Sequence, residues 1–178
     1  GFNMALQAAM PLSDGATIFG YHVKNPSAYG VVGFDENKRA VSLVEKPTDP
    51  ASNYAVTGLY LYDGDAPSRA RKVTPSARGE LEITTLNEMY LHDGKLTVEL
   101  LNQGSTWLDT GTHRSLLQAA QFVAVIQERQ GNRICCPEVI AYRNGWIDRA
   151  QLLTLAKPLE KSGYGSYLRQ VGEGADDS

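Results

Sequence analysis

Apolar and polar residues alternate with two different periods along this chain, and the change of period divides it. Across residues 16–62 the apolar positions fall in short runs, 16–23, 29–35, 40–45 and 53–62, rich in Val, Thr and Tyr and parted by turn residues. Such runs predict strands. Glu36-Asn37-Lys38 joins the second run to the third, which predicts an antiparallel hairpin with Val41, Leu43 and Glu45 on one face. Pro47 and Pro50 bracket the loop that follows.

After residue 62 the helical period takes over. A short basic helix is predicted over 67–73, broken by Thr74-Pro75-Ser76. Residues 80–91 read as an amphipathic helix with Leu81, Leu86, Met89 and Tyr90 on its buried side. One more strand, 96–101, leads into Thr106-Trp107-Leu108-Asp109-Thr110-Gly111-Thr112. The helix after it, 112–130, is apolar almost all round through Leu116, Leu117, Ala120, Phe122, Val123 and Ile126, which predicts burial on several sides. A short extended piece over 138–142, helices over 148–156 and 158–171 and a frayed Gly/Asp-rich tail over 172–178 complete the pattern. The first residues open inside a helical pattern, Phe2, Leu6, Ala9 and Met10, with no cap before it; this reads as the tail of a helix whose preceding segments are absent. The class is α/β, a mixed sheet with a C-terminal helical appendage. The domain expectation is 1–130 as the sheet-bearing part, 131–171 as a helical part and 172–178 as a disordered tail.

Composition narrows the partners. The chain has 178 residues, 42% hydrophobic and 21% charged, enough for a sizeable core. Its net charge of −3 gives no basic field for nucleic acid or an anionic membrane, and no run reaches the length of a membrane span. No secretory leader pattern is visible. Cys135 and Cys136 are adjacent, a geometry that rarely bridges, and fit a reducing cytoplasm as buried apolar fillers. His22, His92 and His113 are scattered and match no zinc spacing.

Two polar clusters are candidates for chemistry. Asp109 sits where a strand hands over to a helix, the place where α/β folds collect ligands. Gly111 lets the chain bend, and Thr110 or Thr112 can cap the helix; a helix cap beside a core Trp107 is an equally plain reading of the stretch alone. Glu45 and Lys46 are neighbours, so on a strand they point to opposite faces unless the strand ends there, and Pro47 makes an ending the expectation. A Lys at a strand end can hold a phosphate as a point charge, and a Glu can accept from two sugar hydroxyls. As an exposed ion pair the two would be worth under about 1 kcal/mol.

Several segments then fall in a known order: Tyr29-Gly30-Val31-Val32, Val44-Glu45-Lys46-Pro47, Ser52-Asn53-Tyr54-Ala55-Val56-Thr57-Gly58-Leu59-Tyr60, Pro75-Ser76-Ala77-Arg78-Gly79-Glu80-Leu81-Glu82-Ile83-Thr84, Trp107-Leu108-Asp109-Thr110-Gly111-Thr112, Arg129-Gln130-Gly131 and Ala141-Tyr142-Arg143-Asn144-Gly145-Trp146-Ile147. Together they closely resemble the bacterial glucose-1-phosphate thymidylyltransferases, the sugar nucleotidyltransferases that make dTDP-glucose for dTDP-rhamnose biosynthesis. The resemblance implies a Rossmann-like nucleotide-diphospho-sugar transferase fold, here partial. It implies that Gly30 and Val56 meet glucose through backbone groups and that Glu45 binds sugar hydroxyls. Lys46 would hold the sugar phosphate, Tyr60 and Trp107 would line its pocket, and Asp109 would be one of two aspartates on Mg²⁺. Lys46 and Asp109 are thereby the candidate catalytic residues. The implied partners are glucose 1-phosphate, dTTP and further copies of the chain, as a dimer or tetramer.

The chain also departs from the family pattern. The Gly-rich phosphate loop, the Lys that follows it and the second metal aspartate do not occur in these 178 residues. Activity of this chain alone is therefore not expected, and a non-catalytic module that binds sugar phosphate or a partner chain is the alternative. Ile140 and Arg143 match positions of a second, regulatory nucleotide site in the family, while Val139 stands where a Glu is common.

Overall fold

The computed structural model describes residues 6, 7, 9, 10, 14–102 and 104–174. The predicted helical start at Phe2 and the end of the tail lie outside these residues; Leu6, Gln7 and Ala9 are helical. The chain forms two compact units, Gly1–Trp107 and Leu108–Ser178. The long helix after Gly111 thus belongs to the second unit, whereas the sequence reading placed the boundary after residue 130.

In the first unit five strands form one mixed sheet. They are β1 (Ala16–His22), β2 (Gly30–Phe34), β3 (Ala40–Glu45), β4 (Tyr54–Tyr62) and β5 (Leu96–Leu100), in the order β3-β2-β4-β1-β5. The predicted hairpin is present: β2 pairs antiparallel with β3, Gly30 opposite Glu45 and Val32 opposite Leu43. Strand β4 runs antiparallel to both β1 and β2, and β1 with β5 is the one parallel pair of the sheet. Only Leu43 of the predicted apolar face of β3 is buried. Val41 is 58% exposed because β3 is the edge strand.

This unit also contains the helices α1 (Ala66–Ala70) and α2 (Ile83–His92). The first is shorter than the predicted 67–73, and residues 71–72 form a turn. The second starts at Ile83, three residues later than the sequence pattern suggested. Gly79 has φ +78°, and Arg78 pairs with Glu80 at 2.8 Å and Glu82 at 3.5 Å, which holds the approach in a non-helical course. Leu81 therefore lies before the helix and is 69% exposed, not buried as expected, and Met89 is only half-buried. Leu86 and Tyr90 do face the sheet, packing with Ala16. Ile18, Val32 and Leu43 continue this core, with Tyr54, Val56, Tyr60 and Val98 around them. Each large side chain so covered contributes about 1.5–3 kcal/mol.

A polar network ties the same helix to the sheet. The Tyr62 hydroxyl donates to Asn87 at 2.6 Å, and the Tyr90 hydroxyl donates to Asp63 at 2.6 Å. The Gly15 N–H donates to the second Asp63 oxygen at 2.7 Å. Arg69 lies 4.3 Å from the centre of the Tyr90 ring and pairs with Asp93 at 2.6 Å. Burial first, and the bond to Asp63 next, push the Tyr90 phenol up to about 12.

In the second unit α3 (His113–Gln130) is followed by α4 (Pro137–Arg143), α5 (Arg149–Ala156), a 3-10 turn (Lys157–Leu159) and α6 (Gly163–Gly172). The predicted extended piece at 138–142 is a helix. Pro137 suits a first helical turn, and Val139 and Tyr142, three apart, both reach the core of Leu152, Ala156, Leu168 and Val171. The predicted single helix over 158–171 is split, because Ser162 caps a new start through the Gly165 N–H. Cys136 is a buried filler as expected, its thiol donating to the Tyr164 hydroxyl at 3.1 Å, but Cys135 is exposed at φ +55°. The expectation for α3 is overturned as well. It has no fully buried residue; Leu116, Leu117, Phe122 and Val125 are 54%, 58%, 40% and 50% exposed. Among the described residues no helix is long and apolar enough to cross a membrane.

Asp63 carries a pH dependence. The Tyr90 hydroxyl, then the Gly15 N–H, favour its charged form and hold its carboxyl below the ordinary 3.8. Its contribution to stability is therefore complete above pH about 4 and is lost as pH falls through the lower folded value. Asp63→Asn should lower stability at pH 7 and flatten the fall of the urea midpoint between about pH 4 and 2. An acid limb as steep as the parent's would contradict this.

Candidate functional site

The end of β3 is built around the Glu45 carboxylate. On β2 Gly30 stands opposite Glu45, and on the other side β4 brings Val56 within reach. A Cβ added to Gly30 would lie 3.0 Å from Glu45 Oε2, 3.1 Å from Thr84 Oγ1 and 4.0 Å from Val56 Cβ. A side chain here would crowd both groups, so glycine keeps the space in which the carboxylate lies. Thr84, in the first turn of α2, donates to Glu45 Oε2 at 2.6 Å. The Arg78 guanidinium stands 3.8 Å from Oε1. Tyr60 lies close enough for the charge of Glu45 to raise its phenol, although burial is the larger cause.

Strand β3 does end at Glu45. Lys46 has φ +46°, a left-handed backbone uncommon outside glycine, and its N–H donates to the Tyr29 carbonyl at 3.0 Å. This turn takes Lys46 out of the strict alternation that would have opposed it to Glu45. Its ammonium is exposed and, among the described residues, makes no hydrogen bond or ion pair. Pro47 behind it is buried. Such a backbone conformation costs on the order of 1–3 kcal/mol in a residue other than glycine, and strain of that kind gathers at functional sites.

Trp107 joins this region through two tyrosines. Its ring lies 5.1 Å from that of Tyr29, nearly edge to face, and 5.9 Å from that of Tyr21. The Tyr21 hydroxyl donates to the Ser105 carbonyl at 3.1 Å, which fixes the segment leading to Trp107. Tyr29 is the residue whose carbonyl receives Lys46 and whose neighbour is Gly30. The sheet therefore brings together Gly30, Glu45, Lys46, Val56 and Tyr60, with Trp107 beside them. Thr84, Tyr21 and Tyr29 belong to the same cluster and were not singled out from the sequence. Only the pairing of α2 with the end of β3 reveals Thr84, since it lies 39 positions from Glu45.

Asp109 belongs to the second unit. Its Oδ2 accepts from the Gly111 N–H at 3.2 Å, a local turn ahead of the Thr112 cap of α3, while Oδ1 accepts no hydrogen bond among the described residues. Thr112 and Ser115 form a reciprocal capping box, so Thr112 rather than Thr110 is the cap. A hard divalent cation takes carboxylate oxygens, and the exposed Asp109 fits one position in such a shell. No group of three or more His, Cys, Asp or Glu among the described residues could hold an ion by itself. Ile140 is 47% exposed on α4, Arg143 lies in the last turn of that helix, and Val139 is buried in the core.

Comparison with known proteins shows what the chain is similar to. Residues 1–125 match the nucleotidyl transferase family. The chain is 54% identical over 173 residues to a glucose-1-phosphate thymidylyltransferase of Xanthomonas campestris, covering 97% of this chain and 59% of the relative. It is 53% identical to that of Mycobacterium tuberculosis, with 97% and 60% covered. A Bacillus anthracis protein assigned as a glucose-1-phosphate thymidylyltransferase and crystallised with sucrose superposes with a TM-score of 0.60 at 38% identity, over 68% of this chain and 48% of that one. A UDP-glucose pyrophosphorylase complexed with UDP-glucose shares the fold, with a TM-score of 0.56 at 20% identity over 68% and 47%. The chain thus spans about three-fifths of the length of these curated relatives, and by its matched sequence, its mixed sheet and its structural neighbours it belongs to the nucleotidyl transferase family.

Proposed function

We propose that this chain carries the sugar-phosphate half of a glucose-1-phosphate thymidylyltransferase. The observation that carries the reading is the rung of Gly30, Glu45 and Val56, closed by Thr84, with Lys46 at its end, unpaired among the described residues. Glu45 is an acceptor suited to sugar hydroxyls, and Gly30 and Val56 offer backbone groups beside it. Lys46 holds the phosphate of glucose 1-phosphate, and Tyr60 and Trp107 wall the pocket. In the whole enzyme an oxygen of the sugar phosphate attacks the α-phosphorus of dTTP. The new P–O bond forms as the bond to the bridging oxygen breaks, and pyrophosphate leaves with that oxygen. Asp109 would contribute one carboxylate to Mg²⁺, which when bound neutralises charge on the phosphate oxygens. The residues of this chain orient the sugar and fix its phosphate for that displacement.

We also propose that copies of the chain associate in the cytoplasm as a dimer or tetramer. The exposed Leu116, Leu117, Phe122 and Val125 of α3, and Trp146 at 74% exposure, form more apolar surface than a lone chain commonly leaves in water. Light scattering at micromolar concentration should show a species heavier than 19.4 kDa; a monodisperse 19.4 kDa particle would contradict association.

Calorimetric titration tests the site. The chain should bind glucose 1-phosphate, and Lys46→Ala should weaken binding by about 1.5–3 kcal/mol, the scale of a charge-assisted hydrogen bond. Equal affinity of Lys46→Ala and the parent would reject the phosphate assignment. Gly30→Ala should weaken binding, because its methyl group would press on the Glu45 carboxylate and the Thr84 hydroxyl. Parent-like binding by that variant would show that the sugar lies elsewhere.

A further inference from the structure

Glu45 ends the edge strand β3, and a glutamate there would ordinarily be free to turn about three side-chain bonds. Here it is not free. Thr84 is 6% exposed, its hydroxyl donates to Oε2 at 2.6 Å, and the missing side chain of Gly30 leaves room for this placement. The two carboxylate oxygens are consequently unequal. Oε2 faces the protein and already accepts a short bond. Among the described residues Oε1 has only the Arg78 guanidinium, at 3.8 Å, and that group is shared with Glu80 at 2.8 Å and Glu82 at 3.5 Å.

We infer that Thr84 is a positioning residue of the sugar site: it fixes Oε2 of Glu45 so that Oε1 is the oxygen presented, in one orientation, to the hydroxyls of the sugar. This rests on the reading of the Glu45 rung as a sugar-phosphate site. The hydroxyl of Thr84 is a fitting choice for the task. It sits on a helix, where a β-branched side chain has few rotamers, so its donor direction is set by α2 and not by the ligand. A carboxylate held in advance loses less freedom on binding than one that must be ordered by the sugar. Lys46 has an exposed ammonium, and Thr84 bonds to Glu45 and not to Lys46, so sugar recognition and phosphate attraction are separable in this site.

Separability gives the test. Binding of glucose 1-phosphate and of inorganic phosphate is measured for the parent chain, Thr84→Val, Thr84→Ala and Thr84→Ser. The two variants without a hydroxyl should lose about tenfold in preference for glucose 1-phosphate over inorganic phosphate, the scale of one hydrogen bond to a charged group. Thr84→Ser should recover that preference to within about threefold of the parent. In a Glu45→Gln background, Thr84→Val should cause no further loss. A purely structural Thr84 would change thermal stability and leave the preference alone. Unchanged preference in both Thr84→Val and Thr84→Ala, or equal loss in Thr84→Ser, overturns the inference while the sugar-phosphate reading stands. A parent chain that binds inorganic phosphate as well as glucose 1-phosphate overturns that reading and the inference with it.

Discussion

A carboxylate lying against a β-sheet needs a gap in the sheet's side chains and a donor above it. Gly30 provides the gap and Thr84 the donor, and the rest of the first unit serves to bring them together. Pairing of β2 with β3 sets Gly30 opposite Glu45. Packing of Leu86 and Tyr90 on Ala16 sets α2, and so Thr84, at the right height above the sheet. The half-buried bonds from Tyr62 to Asn87 and from Tyr90 to Asp63 fix the rotation of α2 about its axis, which apolar packing alone would leave loosely defined. A slip of one residue in the β2–β3 register would turn Glu45 to the opposite face.

The same arrangement explains how attraction and selection are divided. Lys46 stands outside the rung on a left-handed backbone, exposed, with an ammonium that no group among the described residues pairs. It is suited to drawing in a phosphate and poorly suited to distinguishing one phosphate ester from another. In the proposed site discrimination falls to the carboxylate that Thr84 holds. If Glu45 is the sugar acceptor as proposed, sugar selection rests on packing between a helix and a sheet edge, which makes it sensitive to substitutions that touch no ligand.

Much of this was legible in the residues. The β-periodic runs gave all five strands to within a residue or two, and Pro47 marked the end of β3 before Lys46 was seen to turn there. The matched motifs gathered Gly30, Glu45, Val56 and Tyr60 on one part of the sheet. What could not be read is what depends on distant contacts. Thr84 and Tyr29 acquire their roles only when α2 and Trp107 meet the strands. The start of α2 was misplaced because Gly79 and the ion pairs of Arg78 outweigh the helical spacing of Leu81. The piece at 138–142 was misread because four or five apolar residues fit either period, and Pro137 and the core around Leu152 decide for a helix. The apolar residues of α3 predicted burial, yet a single copy of this chain leaves them in water; periodicity reports which side chains avoid water, not which partner covers them.

The account stands most directly on whether a sugar phosphate settles on the Glu45 rung. An amide-resolved NMR titration of the isotope-labelled chain with glucose 1-phosphate asks this without any assumption about turnover. The account predicts saturable shifts concentrated at Gly30, Glu45, Lys46, Val56, Tyr60 and Thr84, with α4 to α6 unaffected. Saturable shifts that spare these residues, or no shifts at millimolar ligand, would contradict it.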